Sequence, residues 1–321
     1  MELAQKYLRS AVRDPGARLR SLGFSLGIPA LALALFLALW AALAPRIQTS
    51  LGAVPGPAQV AGQAHALWDA HFAERRKRAD FYARQEQRNK ERLAQDPAYR
   101  PRHFSYNGAP TYLDQILTSL TTVFTGFLIA TLVAVPLGIL AGSSRVVQAA
   151  INPIVEIFRP VSPLAWLPIV TLIVSAVYVT TGTPLFQKSF LISAITVTLC
   201  SLWTTLINTA IGVTSVDKDL VNVGKVLQLP LSTRVRKIVL PSALPYIFTG
   251  MRLSLGVGWM VLIAAEMLAQ NPGLGKFVWD EFQNGSSDSL ARILVAVLTI
   301  GLIGFGLDRL MQLVQSFVVR R

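Results

Sequence analysis

Cysteine is nearly absent from this 321-residue chain. Cys200 stands alone, which excludes a disulfide framework and a CxxC metal or redox pair. Histidine occurs three times, as His65, His71 and His103, too sparsely for a histidine-rich metal centre. Charge is scarce too: 15% of residues are charged while 52% are apolar, against about 25% charged in an ordinary soluble domain. That surface cannot be covered in water, so lipid is the expected solvent and a typical soluble enzyme is excluded. Acidic residues are the rarer sign, 17 against 30 basic, for a net charge of +13. On a soluble protein this excess would point to nucleic acid. On a chain of long apolar runs it marks the flanks of membrane spans, and no nucleic-acid partner is expected.

A transmembrane helix needs about 20 mostly apolar residues. Uncharged runs cover Phe24–Ala44 and Thr118–Gly142, and two more spans fit near Leu164–Thr180 and Ser189–Gly212. A fifth runs from about Leu244 to Ala269, interrupted by Arg252 and Glu266; a sixth from about Ile293 to Val314 ends near Asp308 and Arg309. Backbone polar groups in lipid must be satisfied within each segment, so the expected fold is all-α, a polytopic bundle of six transmembrane helices. Ala42-Leu43-Ala44 resembles a signal-peptidase site. The apolar run before it exceeds the 7–15 residues of a signal peptide, and Pro45 would follow the cut, so it reads as a retained span. With the N-terminus inside, fifteen Lys and Arg fall in inner segments, among them Lys6, Arg9, Arg13, Arg18, Arg20, Arg320 and Arg321. Only Lys188 and Lys276 fall in the two short outer loops. Both termini are therefore placed in the cytoplasm.

The chain thus divides into a cytoplasmic N-terminus and first span (1–44), an outer loop (45–115) and a five-helix body (116–321). The outer loop holds eleven basic and seven acidic residues, too balanced to attract anions strongly. Its dense middle, Glu74–Arg92, places Glu74 and Arg78, then Glu86 and Lys90, four apart, which supports an exposed helix. Pro97, Pro101, Asn107-Gly108 and Pro110 end it. This insertion reads as a solvated, partly helical segment that forms no core of its own.

Gly126, Ala130, Ala134 and Gly138 recur every four residues, as do Gly250, Ser254 and Gly258. Each set lies along one helix face and lets backbones approach closely in lipid. Arg252 and Glu266 are charges at membrane depth, functional candidates by default. Fourteen residues apart, they share a face about 21 Å apart along the helix. Arg252 suits an anion pathway, or else a structural ion pair. Ser162, Trp166, Thr204, Thr205, Asn208 and Trp259 are neutral donors a planar anion could use.

The inner segment 214–243 is the most informative. Leu220, Val223, Val226 and Leu227 give one apolar helical face, Leu229-Pro230 a turn, and Ser232 a cap for a second, basic helix bearing Arg234, Arg236 and Lys237. Two short angled helices protruding from the membrane suit a groove on a partner.

That segment resembles the coupling loop of ABC importer permeases, whose pattern runs E-A-A, three or four residues, G, about nine residues, I-x-L-P. Ile238-Val239-Leu240-Pro241 matches its end and Leu227 the Leu before the glycine, while Asn222 and Gln228 occupy the Glu and glycine positions. With Gln at 228, Pro230 is expected to set the turn two residues later. The resemblance covers nearly everything from Leu117 onward. Arg159–Pro168, Ile207-Asn208-Thr209, Pro245–Arg252 and Ala264–Met267 look like the nitrate/sulfonate/taurine/bicarbonate permease group, and the Ser162–Pro168 and Tyr246–Gly250 runs with Trp279-Asp280 are similar to nitrate permeases.

The resemblance implies a homodimer in the bacterial inner membrane, with two cytoplasmic ATPase subunits beneath it and a periplasmic substrate-binding protein delivering a small oxyanion. Nitrate or nitrite comes first, with bicarbonate, cyanate and sulfonate or taurine as alternatives. It implies coupling contacts at Leu220, Asn222, Val223, Gly224, Leu227, Gln228, Arg234 and Arg236. ATP and Mg would be held by the ATPases, and no cofactor or metal is expected in this chain. Consistently, no G-x-x-x-x-G-K-[ST] phosphate loop occurs. A secondary transporter or channel would call for inverted repeats, and a membrane-anchored sensor would leave the five-helix body unexplained.

Overall fold

The computed structural model describes Phe24, 27–49, 52–179, 186–286 and 288–319. The basic residues counted in 1–23 and at 320–321, residues 25 and 26 of the first run, and Thr180 lie outside these. Among the described residues the chain forms eleven α-helices and one two-stranded ribbon, β1 (Gln48–Thr49) against β2 (Gly52–Ala53). The helices are α1 (Ile28–Leu43), α2 (Pro57–Gln95), α3 (Tyr112–Ser143), α4 (Arg145–Phe158), α5 (Pro163–Val177) and α6 (Lys188–Thr214). Then come α7 (Lys218–Val226), α8 (Leu231–Arg234), α9 (Leu240–Ala269), α10 (Leu274–Asn284) and α11 (Ser289–Val319).

Five stretches are long and apolar enough to cross a membrane: Ile28–Arg46, Tyr112–Ser143, Lys188–Thr214, Ser232–Ala269 and Ser289–Val319. The expected third span differs. Leu164–Thr180 falls on α5, which counts as a sixth span only together with α4, and the two meet at 101°. The reason is local: Pro160 and Pro163 flank the break, and a proline cannot continue the preceding helix. Ser162 instead caps α5, accepting the Leu164 N–H at 3.3 Å. With 15 residues, α5 alone spans only about 22 Å.

The small-residue stripes explain the packing. Helix α6 lies between α3 and α9. Ala130 and Ala134 are fully buried, and a Cβ on Gly138 would sit 2.6 Å from Thr209 Cβ and 2.8 Å from the Leu206 carbonyl. On the other side Ser254 Oγ donates to the Ser201 carbonyl at 2.9 Å and Ser201 Oγ donates back to the Ser254 carbonyl at 3.3 Å. Backbones this close exchange dispersion contacts that lipid tails cannot match. Helix α1 stands apart, joined through Trp40, whose indole N–H donates to the Pro55 carbonyl at 3.2 Å.

The insertion between α1 and α3 is longer and more attached than its charge pattern suggests. The first turns of α2 bury Val60 and His71, and Val60 belongs to the core around Tyr112, Phe277 and Val295. Beyond that, residues 96–111 run back along α2 as a strap. Gln85 holds the Phe104 backbone through both amide atoms, Asn89 Nδ2 donates to the Arg102 carbonyl, and the Tyr106 hydroxyl donates to Glu74 at 2.6 Å. Thr111 and Asp114 close a capping box at the start of α3, and His71 Nδ1 meets Thr111 Oγ1 at 2.6 Å. Of the two expected ion pairs, Lys90–Glu86 forms at 2.7 Å. Glu74 instead meets Lys77 at 3.5 Å, while Arg78 lies 6.0 Å from the Tyr82 ring centroid.

Candidate functional site

Between α6 and α9 the chain folds as two short helices, α7 and α8, whose apolar face is open among the described residues. Leu220, Val223, Val226 and Leu227 are 48%, 54%, 82% and 63% exposed. These four apolar side chains are neighbours on one face of the short helix. With Asp219 and Asn222, Val223, Val226 and Leu227 line a shallow surface depression.

The turn between the helices corrects the expectation that Pro230 takes over the role of glycine. Gln228 itself adopts φ 49°, the left-handed conformation. The Leu229 N–H donates to the Gly224 carbonyl at 3.0 Å, the six-to-one bond that closes a helix on a left-handed residue. Pro230 follows that turn. The backbone geometry demanded of glycine is kept at Gln228, at a cost of about 1 kcal/mol for a side chain with a Cβ. Helix α8 starts at Leu231, so Ser232 lies inside its first turn rather than ahead of it. Arg234 braces the turn: its Nη2 donates to the Leu229 carbonyl at 3.3 Å. Gly224 sits where a Cβ would come 2.9 Å from Ile238 Cδ1, so the two arms touch there. Arg236 and Asn222 are exposed. A five-residue π-turn, Val235–Val239, then leads directly into α9.

The eight candidate pathway residues fall at separate helix crossings of the protomer. Ser162 and Trp166 lie at the α4–α5 break, where the Phe158 ring stands 5.6 Å from that of Trp166 and stacks at 6.2 Å on Trp203. The buried Trp166 and Trp203 indole nitrogens have no hydrogen-bond partner among the described residues. Thr205 and Asn208 face the α6–α9 crossing: a Cβ on Gly250 would lie 3.2 Å from Thr205 Cα and 2.7 Å from Asn208 Cβ. Asn208 Nδ2 donates to the Thr204 carbonyl at 2.8 Å, and the Thr205 hydroxyl lacks a partner among the described residues. Trp259 and Arg252 face α11. The Trp259 indole donates to the Ile300 carbonyl at 3.0 Å. Arg252 grips Asp308 bidentately, Nε to Oδ1 and Nη2 to Oδ2, the latter at 3.0 Å. Gln312 adds a bond to Asp308 Oδ2 at 2.8 Å. In this conformation the Arg252 charge is compensated, the structural-pair alternative. Sequence placed Asp308 at the end of its span without matching it to Arg252.

Glu266 lies near the C-terminal end of α9 and is 0% exposed. Both its oxygens accept from Ser119 Oγ, at 2.9 and 2.8 Å, and Oε2 also accepts the Gly275 N–H at 2.9 Å. Ser119, Asn271 and Gly275 were not singled out from sequence. Their only sequence signal is polarity within apolar runs and a glycine pair beside Pro272. No group of three or more His, Cys, Asp or Glu among the described residues could hold a metal ion.

Residues 134–320 match the family described as binding-protein-dependent transport system inner membrane component. The chain is 37% identical over 205 residues to the nitrate import permease protein NrtB of Synechocystis sp., covering 64% of this chain and 69% of that one. It is 36% identical over 207 residues to the bicarbonate transport system permease protein CmpB of Synechococcus elongatus, with the same shares covered. Among solved structures, an inward-facing MetNI methionine ABC transporter chain superposes with a TM-score of 0.51 at 19% identity, covering 63% of this chain and 95% of that chain, a likeness of fold.

Proposed function

The chain belongs to the family of binding-protein-dependent transport system inner membrane components, a membrane-embedded permease subunit of an ABC importer, and from that premise we propose that it imports a small oxyanion, nitrate first. The observation that carries the coupling half of this reading is the open apolar face of α7, set beside the basic α8 and joined directly to α9. A cytoplasmic ATPase groove that takes Leu220, Val223 and Leu227 would bury surface that otherwise stays in water. Movement imposed there would pass into α9, and so across the bundle. Hydrolysis then belongs to two partner subunits holding ATP and Mg, and this chain performs the alternating access as a homodimer. Both termini face the cytoplasm, and a periplasmic binding protein delivers the ion.

Nitrate is favoured by the Ser162–Pro168 and Tyr246–Gly250 runs. The similarity to nitrate and bicarbonate permeases is nearly equal, so bicarbonate is the second reading. The test is substrate-stimulated ATP hydrolysis and uptake by the complete complex in liposomes, across nitrate, nitrite, bicarbonate, cyanate and taurine. Stimulation by nitrate or nitrite alone is expected. Uptake of bicarbonate with nitrate ignored would move the assignment to the second reading, and uptake without ATP would defeat the importer reading itself.

A further inference from the structure

Helix α9 begins where the coupling loop ends and runs without interruption from Leu240 to Ala269. Glu266 therefore lies about 39 Å along the helix from Leu240. At that far end the chain reverses. Gln270 adopts φ 55°, and Asn271-Pro272-Gly273 lead into α10, a short amphipathic helix on the outer side. The first turn of α10 has backbone N–H groups that no residue of its own helix can satisfy. Glu266 and Ser119 supply the acceptors. The Gly275 N–H donates to Glu266 Oε2 and the Leu274 N–H to Ser119 Oγ, at 2.9 and 2.8 Å, while Ser119 Oγ donates on to the carboxylate. A buried carboxylate here faces only neutral donors, yet the N-terminal end of α10 carries partial positive charge.

The fit is tight. A Cβ at Gly273 would fall 2.1 Å from Glu266 Oε1, and one at Gly275 would fall 2.1 Å from the Ile263 carbonyl. Asn271, 1% exposed, adds a second tie by donating to Thr122 Oγ1 of α3 at 3.3 Å. The other end of α10 is held separately, by Glu281 with Arg292 at 3.2 Å and Ser289 at 2.9 Å. The cluster thus fastens three elements, α9, α10 and α3, at one buried point opposite the coupling loop.

We propose that Glu266 is a positioning residue for transport: with Ser119 it locks the outer α10 to α9 and α3, so displacement applied at the coupling loop reaches the outer face. This rests on the coupling-loop reading above and assigns the residue no contact with the ion. Without the lock, the inner end of α9 still engages the ATPases but the outer end no longer carries α10 with it. ATP hydrolysis would then lose its dependence on the loaded binding protein.

The experiment uses the full complex in liposomes with its binding protein loaded with nitrate or, in a parallel arm, bicarbonate. Glu266→Gln keeps the shape but presents an NH2 where Gly275 or Ser119 donates. Ser119→Ala removes the bridge and leaves the carboxylate in place. Both are expected to assemble with the ATPases and to keep basal hydrolysis within about twofold of wild type. Stimulation by loaded binding protein and uptake should fall at least tenfold in Glu266→Gln and by a smaller factor in Ser119→Ala. Wild-type stimulation in both variants overturns the proposal. So does failure of both to assemble, or a fall in uptake that only tracks lost assembly, because the cluster would then be a folding element. A wild-type complex that shows no ATP-driven uptake in either arm overturns the importer reading instead.

Discussion

Replacing Val223 with Asp tests the coupling reading at its centre. Val223 is 54% exposed in the protomer, about 100° around α7 from Gly224, which meets Ile238. An exposed site away from caps and cores changes stability by about 0.5 kcal/mol or less. The permease by itself should therefore fold and melt as wild type. In an ATPase groove the same carboxylate would be buried without a partner, at a cost of about 3–5 kcal/mol. At about 1.4 kcal/mol per tenfold, that is a roughly 100- to 4,000-fold loss of affinity. Leu227→Ala provides the graded comparison. It removes three carbons from a side chain 63% exposed in the protomer, worth at most about 2.4 kcal/mol at roughly 0.8 kcal/mol per buried CH2. The assay is co-purification of the ATPases with the permease, alongside thermal unfolding of the permease alone and nitrate uptake by the complex. The expected order of retained ATPase is wild type, then Leu227→Ala, then Val223→Asp, with unchanged melting throughout. If Val223→Asp holds the ATPases and transports at the wild-type level, α7 is not the docking element.

Gln228→Gly should be tolerated and should leave the melting temperature unchanged or raised, since glycine relieves a strain of about 1 kcal/mol at φ 49°; a clear loss of stability would show that the Gln side chain, not the backbone, holds the turn. Gly138→Ala should destabilise the bundle by about 1–3 kcal/mol, because its Cβ meets a backbone carbonyl that cannot yield. Gly256→Ala, with nothing within 4 Å, should be neutral or slightly stabilising, and equal melting of the two variants would refute the close-packed stripe. The strap on α2 should loosen in acid. The Tyr106 hydroxyl bonded to Glu74 holds that carboxyl below its ordinary 4.5. A lowered folded value stabilises above the unfolded one, and that contribution is lost as pH falls through the folded value. Hydrogen exchange across residues 99–108, corrected for intrinsic rates, should accelerate between about pH 6 and about pH 3; unchanged protection would remove Glu74 from the account.

The apolar runs, the two small-residue stripes and the amphipathic α7 were legible in the sequence because each is a pattern repeated every three or four residues, and helix geometry turns that period into a face. The end of α2 near Pro97 was legible as well, since proline acts within a few residues. What depended on distant partners was not. Asp308 meets Arg252 across 56 residues and Ser119 meets Glu266 across 147, separations at which no local period records who faces whom. The break between α4 and α5 lies at Pro160 and Pro163, but its 101° angle goes with the packing of α5 on α6. At Gln228 the residue type argued against a left-handed turn, and the closing bond from Leu229 to Gly224 and the Arg234 brace kept it there. Local chemistry thus set which segments enter the membrane and which face each turns inward. Only the packed bundle decided how their charges are compensated, because a buried charge is satisfied by whichever donors the neighbouring helices bring to it.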